Sequence, residues 1–175
     1  MGGFTIIVLI FGIILFEILI ALYFVNQIIK YQTRIEYSFI AVKLCVEKMR
    51  VLIDNIEKFM SVNLEHELSF RRYISSLGLD ARTIENNKEG IKNIKRIEME
   101  LIHFTELENT YKNLNKNKEF VKIKSEILKN EDKLIYAFED YDKGVNSYNK
   151  YKENKFINLL SKIIKSPEYD YYNEK

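Results

Sequence analysis

The stretch FTIIVLIFGIILFEILIALYFV, residues 4–25, decides how this chain folds and where it lies. It contains no Lys or Arg, and its one carboxylate belongs to Glu17. At about 1.5 Å of rise per residue, a helix of this length reaches the roughly 30 Å thickness of the hydrocarbon core of a bilayer. We therefore predict a single transmembrane helix over residues 4–25, which anchors the rest of the chain to a membrane.

Two other interpretations of the apolar stretch fit less well. A cleaved signal peptide requires a basic segment before a shorter apolar core and small residues at a cleavage site. The opening MGGFT has no basic residue, and Ala21 is followed by bulky Leu22. An N-myristoylation signal requires Ser or Thr at position 6, where Ile6 stands. We expect the span to be retained.

Placing a carboxyl group such as that of Glu17 inside a membrane is energetically unfavourable, which makes Glu17 a candidate functional residue. It either faces a partner helix, as an oligomer contact or a proton-linked group, or is tolerated in its protonated form. Gly12 has no small residue four positions away, so no close-packing dimer motif favours the first alternative.

Flanking charge predicts the orientation, because basic residues near a span stay on the cytoplasmic side. The amino-terminal side has none, whereas Lys30, Arg34 and Lys43 follow the span. We predict an outside amino terminus and a cytoplasmic helical domain.

Helical periodicity continues through the remaining chain. Apolar residues recur at spacings of three and four over about 26–63, 91–115 and 120–154, and a short amphipathic segment occupies 156–164. Asn117 is a candidate N-cap of the third of these helices. Long helices joined by polar loops bury their apolar faces against one another. The predicted fold is all-α: a transmembrane helix at 4–25, an antiparallel bundle of long helices at 26–164, and a flexible tail at 165–175.

A sequence motif lies in the third of these helices. Residues 141–149, YDKGVNSYN, resemble the YNxxVxxYN signature of the LemA family, and His66 with Glu67 lies near the end of a long helix similar to that family's first. The resemblance covers nearly the whole chain, with Asp142 in place of Asn and Gly144 in mid-helix as departures. It implies a bacterial, membrane-anchored helical bundle whose molecular activity is not established, some relatives being associated with membrane organisation.

Histidines offer one candidate chemistry. Adjacent His66 and Glu67 point about 100 degrees apart on a helix, which makes them poor partners for one metal ion. His103 has Glu100 and Glu106 three residues to either side, so a metal site between helices is one hypothesis. A di-iron bundle needs a second Glu-x-x-His, which is lacking. We predict no cofactor and no metal site.

The motif residues Tyr141, Val145, Tyr148 and Asn149 are expected to serve core packing or contact with a partner. No Ser-His-Asp order, Cys-His pair or glycine-rich phosphate loop is found, so we do not expect an enzyme. The charges of both signs are interspersed around a net charge of +2, which argues against a nucleic-acid partner. The sequence favours an interaction or scaffold protein, with self-association or a protein partner; the alternatives are a membrane-shaping bundle and a metal- or ligand-binding bundle.

Overall fold

The computed structural model describes residues 2–64, 72–77 and 84–172, and these are helical and irregular without any strand. Residues 72–77 are helical, and a short 3-10 turn occupies Leu114–Lys116. The longer α-helices are α1 Gly2–Asn63, α2 Lys88–Thr110, α3 Lys118–Lys152 and α4 Lys155–Ile163. The predicted all-α class, with a long apolar amino-terminal helix followed by further helices, is confirmed.

Helix α1 continues from the apolar stretch into the following segment without a break, as the sequence predicts. No glycine or proline interrupts it after Gly12, so nothing in the sequence favours an end before Asn63. Its amino-terminal part is long and apolar enough to cross a membrane, and the most apolar window has no buried residue. The chain therefore carries a candidate membrane-spanning helix.

Asparagine side chains cap the amino-terminal ends of three helices. The Asn87 Oδ1 atom accepts a hydrogen bond from the Gly90 amide at 2.8 Å at the start of α2. Asn117 does the same for α3 by accepting from the Glu119 and Phe120 amides, which confirms it as an N-cap. At the start of α4, Asn154 Oδ1 accepts from the amides of Phe156 and Ile157. Because of its cap, α2 begins three residues before the predicted position.

The structure divides into two compact units: Met1–Glu36 with Lys143–Glu168, and Tyr37–Asp142 with Tyr169–Lys175. In the second unit, α1 and α3 run antiparallel, since Ser38 donates to Asp140 and Lys48 pairs with Glu126 at 2.7 Å. Three phenylalanine rings, with centroids 5.3–6.0 Å apart, fill its core between α1, α2 and α3: Phe59, Phe104 and Phe120.

In the first unit, the start of α1 packs against the end of α3. The rings of Tyr31 and Tyr151 lie 4.9 Å apart, and Ile28 is completely buried. Gly144 lies close to α1, because a Cβ atom there would lie 3.2 Å from the Cγ1 atom of Ile35. The absence of a side chain at this mid-helix position therefore suits the packing of the two helices.

Candidate functional site

Tyr141, on α3 in the second unit, has no exposed surface. Its ring packs near Phe39, with centroids 5.6 Å apart. Its hydroxyl lies 2.8 Å from the side-chain oxygen of Asn86 and 3.1 Å from the backbone oxygen of Asp170. A hydroxyl has one hydrogen, so it donates to either acceptor in turn. Tyr141 thereby joins the loop before α2 to the segment after α4.

Asp142, the next residue, holds the same carboxyl-terminal segment. Its Oδ1 atom accepts a hydrogen bond from the Tyr172 amide at 2.8 Å. The Tyr172 ring stacks on Phe138 with a centroid distance of 3.6 Å and an interplanar angle of 11°. The Asp that departs from the signature therefore has a defined role: its side chain accepts a hydrogen bond from a backbone amide.

Two side chains of α2 complete the surroundings of Tyr172. The Lys95 Nζ atom lies 4.5 Å from the centre of the ring and also donates to the Tyr172 carbonyl oxygen. The Tyr172 hydroxyl donates to a carboxylate oxygen of Glu98. A cation over the ring, a stacked aromatic and a charge-assisted hydrogen bond together fix this side chain.

Burial and nearby negative charge shape the ionisation of this cluster. Burial, the hydrogen bond to Glu98 and the neighbouring carboxylates raise the pKa of Tyr172 well above its usual value. Burial, with Glu98 and Asp132 close by, also raises the pKa of Glu131. Because the raised pKa keeps the Tyr172 phenol protonated, its hydroxyl remains a hydrogen-bond donor to Glu98.

Tyr148 makes the equivalent contact in the first unit. It is completely buried, and its hydroxyl donates to the backbone oxygen of Pro167 at 3.0 Å. Lys152 lies over its ring, with Nζ 5.0 Å from the centroid. Val145 is also fully buried, and Asn149 is half-buried. Tyr141 and Tyr148 of the motif thus both donate hydrogen bonds to the backbone that follows α4.

The tail that is predicted to be flexible, residues 165–175, makes packing contacts over its described part. Tyr169 and Tyr172 are both buried, and the Tyr172 amide, carbonyl and hydroxyl are all hydrogen-bonded. The physical reason is that aromatic rings remove large apolar areas from water when they pack. Sequence reasoning missed Asn86, Lys95, Glu98 and Tyr172; the density of tyrosines after Pro167 was the available signal.

The other candidate residues are the carboxylate in the apolar stretch and the histidines with their neighbouring glutamates. His66 and Glu67 are outside the described residues. Glu17 lies on α1 within the apolar stretch and is exposed. The His103 side chain is 60% exposed, with Nδ1 3.8 Å from Glu100, and Glu106 is exposed. Within the described ranges, no three His, Cys, Asp or Glu side chains come close enough to hold a metal ion. A structural metal site usually needs four protein ligands.

A second surface feature lies on α1 in the second unit. Four apolar side chains are exposed there at spacings of three, four and seven residues, which places them on one face of the helix. That face is opposite the one that carries buried Phe39, Val42 and Met49. We call it the α1 stripe, and its members are Tyr37, Ile40, Leu44 and Val51.

These features define an all-α protein with a candidate membrane-spanning helix and a tyrosine motif that holds its carboxyl-terminal segment. The chain belongs to the LemA family, whose model matches residues 38–175. The match begins after the apolar stretch and includes the whole tyrosine motif and the segment that it binds. A search of curated proteins found no match.

Proposed function

We propose that this chain is a single-pass, membrane-anchored interaction protein without enzymatic activity, and that its α1 stripe docks a second copy of the chain. The observation that carries the proposal is the exposure of the stripe: Tyr37 is 70% exposed and Leu44 68% exposed. Exposed apolar side chains gathered on one helix face are typical of an interaction surface.

Membrane anchoring favours a second copy as the partner. The stripe and the candidate span belong to one continuous helix, so copies inserted in the same orientation present α1 in the same direction. Spacings of three, four and seven are those of a parallel coiled-coil seam, which is complementary to itself. Glu47 interrupts the stripe, and its charge is compensated by Arg50 on the same helix.

The proposed location and orientation in the membrane follow from the charges that flank the span. Lys30 and Arg34 follow the span and favour a cytoplasmic helical domain in a bacterial membrane, with the amino terminus outside. The bacterial assignment is what the sequence resemblance to the family implies.

Cysteine crosslinking in native membranes tests self-association. Cys45 is the one cysteine in the sequence and is buried, so Cys45→Ala provides a background for Leu44→Cys. Met99→Cys on α2 is a matched control, because Met99 is 69% exposed. We expect oxidation to yield a covalent dimer through position 44 and little through position 99. Equal dimer yields at both positions, or none at position 44, would contradict the proposal.

A second candidate function is membrane organisation. The feature that favours it is the exposed apolar face of α4, formed by Phe156, Leu159 and Ile163. Electron microscopy of vesicles that contain the full chain tests this function. Vesicles that keep the shape of protein-free controls at high protein density would contradict it.

A further inference from the structure

We infer that α4 is an interfacial helix: its apolar face lies in the surface of the bilayer beside the end of the α1 span, and its lysines contact the headgroups of anionic lipids. The inference rests on the proposed membrane anchoring of α1. It assigns a lipid-binding site to residues outside the span.

The position of α4 is the first step. The ring of Phe156, at the start of α4, packs edge-on against Phe24, with centroids 5.7 Å apart. Phe24 lies at the carboxyl-terminal end of the apolar stretch, and Ala21, one turn earlier, is also partly covered. Both Phe24 and α4 belong to the first unit. If α1 crosses the membrane over residues 4–25, α4 lies at the level where hydrocarbon meets headgroups.

The two faces of α4 give the second step. Ile157 and Ser161 are buried against the protein. Phe156, Leu159 and Ile163 lie together on another face and are exposed, with Leu159 at 57% and Ile163 at 67%. Closure of the bundle accounts for the buried face of this segment and leaves Leu159 and Ile163 exposed. Because α4 lies beside the end of the proposed span, the surface of the bilayer is the partner that covers this exposed face.

Charge gives the third step. Lys155 and Lys162 are exposed on the flank of the apolar face, and Lys165 follows the helix. The sequence of α4, KFINLLSKI, contains no Asp or Glu. Lysines beside an apolar face extend their charged ends toward water and lipid phosphates while their methylene groups cover apolar surface. The apolar face of such a segment suits the hydrocarbon of a bilayer, and its positive charges are complementary to anionic headgroups.

Fluorescence quenching in reconstituted vesicles tests the inference. In the full chain carrying Cys45→Ala, an environment-sensitive fluorophore is attached through Leu159→Cys, or through the control Asn158→Cys on the exposed polar side of the same helix. In vesicles of phosphatidylcholine and phosphatidylglycerol, we expect brominated acyl chains to quench the label at 159 several-fold more than the label at 158. Aqueous iodide should give the reverse order.

The outcomes separate three possibilities. Equal quenching of both labels by iodide, with none by brominated lipid, would overturn the inference. Unchanged quenching in vesicles of phosphatidylcholine alone would overturn the assignment of an anionic headgroup. A third label, through Leu15→Cys within the apolar stretch, reports on the span by itself. Lipid quenching at 15 without any at 159 would refute the interfacial helix alone, and no lipid quenching at 15 would refute the anchoring on which it rests.

Discussion

At the scale of single residues, Tyr172 combines several different kinds of interaction around one side chain. It stacks on Phe138, lies beneath the Lys95 cation, donates to Glu98 and is held through its amide by Asp142. Each contact joins this residue to α2 or α3. The carboxyl-terminal segment is therefore part of the core of the second unit.

The Tyr172 hydroxyl can be tested with Tyr172→Phe, which keeps the stacked ring and removes the donor to Glu98. Hydrogen bonds to charged groups contribute about 1.5–3 kcal/mol, so we expect the free energy of unfolding to fall by about 1–2 kcal/mol. Urea denaturation in mild detergent, followed by circular dichroism, measures this change. The matched control is Tyr136→Phe on α3, where the side chain is 71% exposed and the effect should stay below about 0.5 kcal/mol. Equal effects of the two substitutions would refute the role of the hydroxyl.

The raised pKa of Tyr172 also predicts a pH dependence. Below about pH 10, the phenol is neutral in both the folded and the unfolded chain. Above that pH, the unfolded chain releases the proton while the folded chain retains it, so the contribution of Tyr172 to stability is lost as the pH rises. We expect the wild-type chain to lose stability more steeply above pH 10 than Tyr172→Phe, as measured by urea denaturation at a series of pH values. Parallel pH profiles would contradict the assignment.

At the scale of elements, the asparagine caps set where the helices begin. The change Asn87→Ala removes the acceptor for the Gly90 amide at the start of α2. We expect a loss of about 1 kcal/mol in the free energy of unfolding, the usual effect of removing an N-cap side chain. The control Asn146→Ala changes an exposed residue within α3 and should be neutral or slightly stabilising, because Ala favours helix. Thermal unfolding monitored at the helical circular dichroism band compares the two, and a control that costs as much as Asn87→Ala would refute the cap.

Helix content was predictable because its causes are local. Periodic apolar residues and a capping asparagine act within a few positions, so α3 and the role of Asn117 follow directly from the sequence. The contacts of Tyr172 with Lys95 and Glu98 join residues separated by 77 and 74 positions, and no local pattern specifies them. The tail was predicted to be flexible because its pattern is too short to indicate a helix, although it packs without forming one.

The α1 stripe shows a different limit of sequence reasoning. The core face of α1, with Phe39 and Val42, and the stripe, with Ile40 and Leu44, both follow helical spacing. The spacing of Phe39, Val42 and Met49 indicates the core face, and these residues are buried. The same spacing in the stripe does not specify whether its side chains are covered, and the structure leaves them exposed.

At the scale of the whole molecule, the orientation in the membrane is testable with Met99→Cys on the Cys45→Ala background. The exposed position on α2 should resist a membrane-impermeant thiol reagent in intact cells and react once the cells are permeabilised. This expectation follows from the proposed orientation, because basic residues such as Lys30 and Arg34 favour retention of their side of a span in the cytoplasm. Mass-tag labelling followed by electrophoresis measures both states. Full labelling of intact cells would place the helical domain outside.

The position of Tyr172 in the sequence also bears on when the molecule can finish folding. A chain made from its amino terminus reaches Tyr172 after every side chain that this residue binds. Until then Phe138 lacks its stacking partner, and Glu98 and Asp142 lack the donors that Tyr172 supplies. Synthesis of the chain and completion of the core of the second unit are thus coupled through a single late residue, and until that residue is made this part of the interior is open to water.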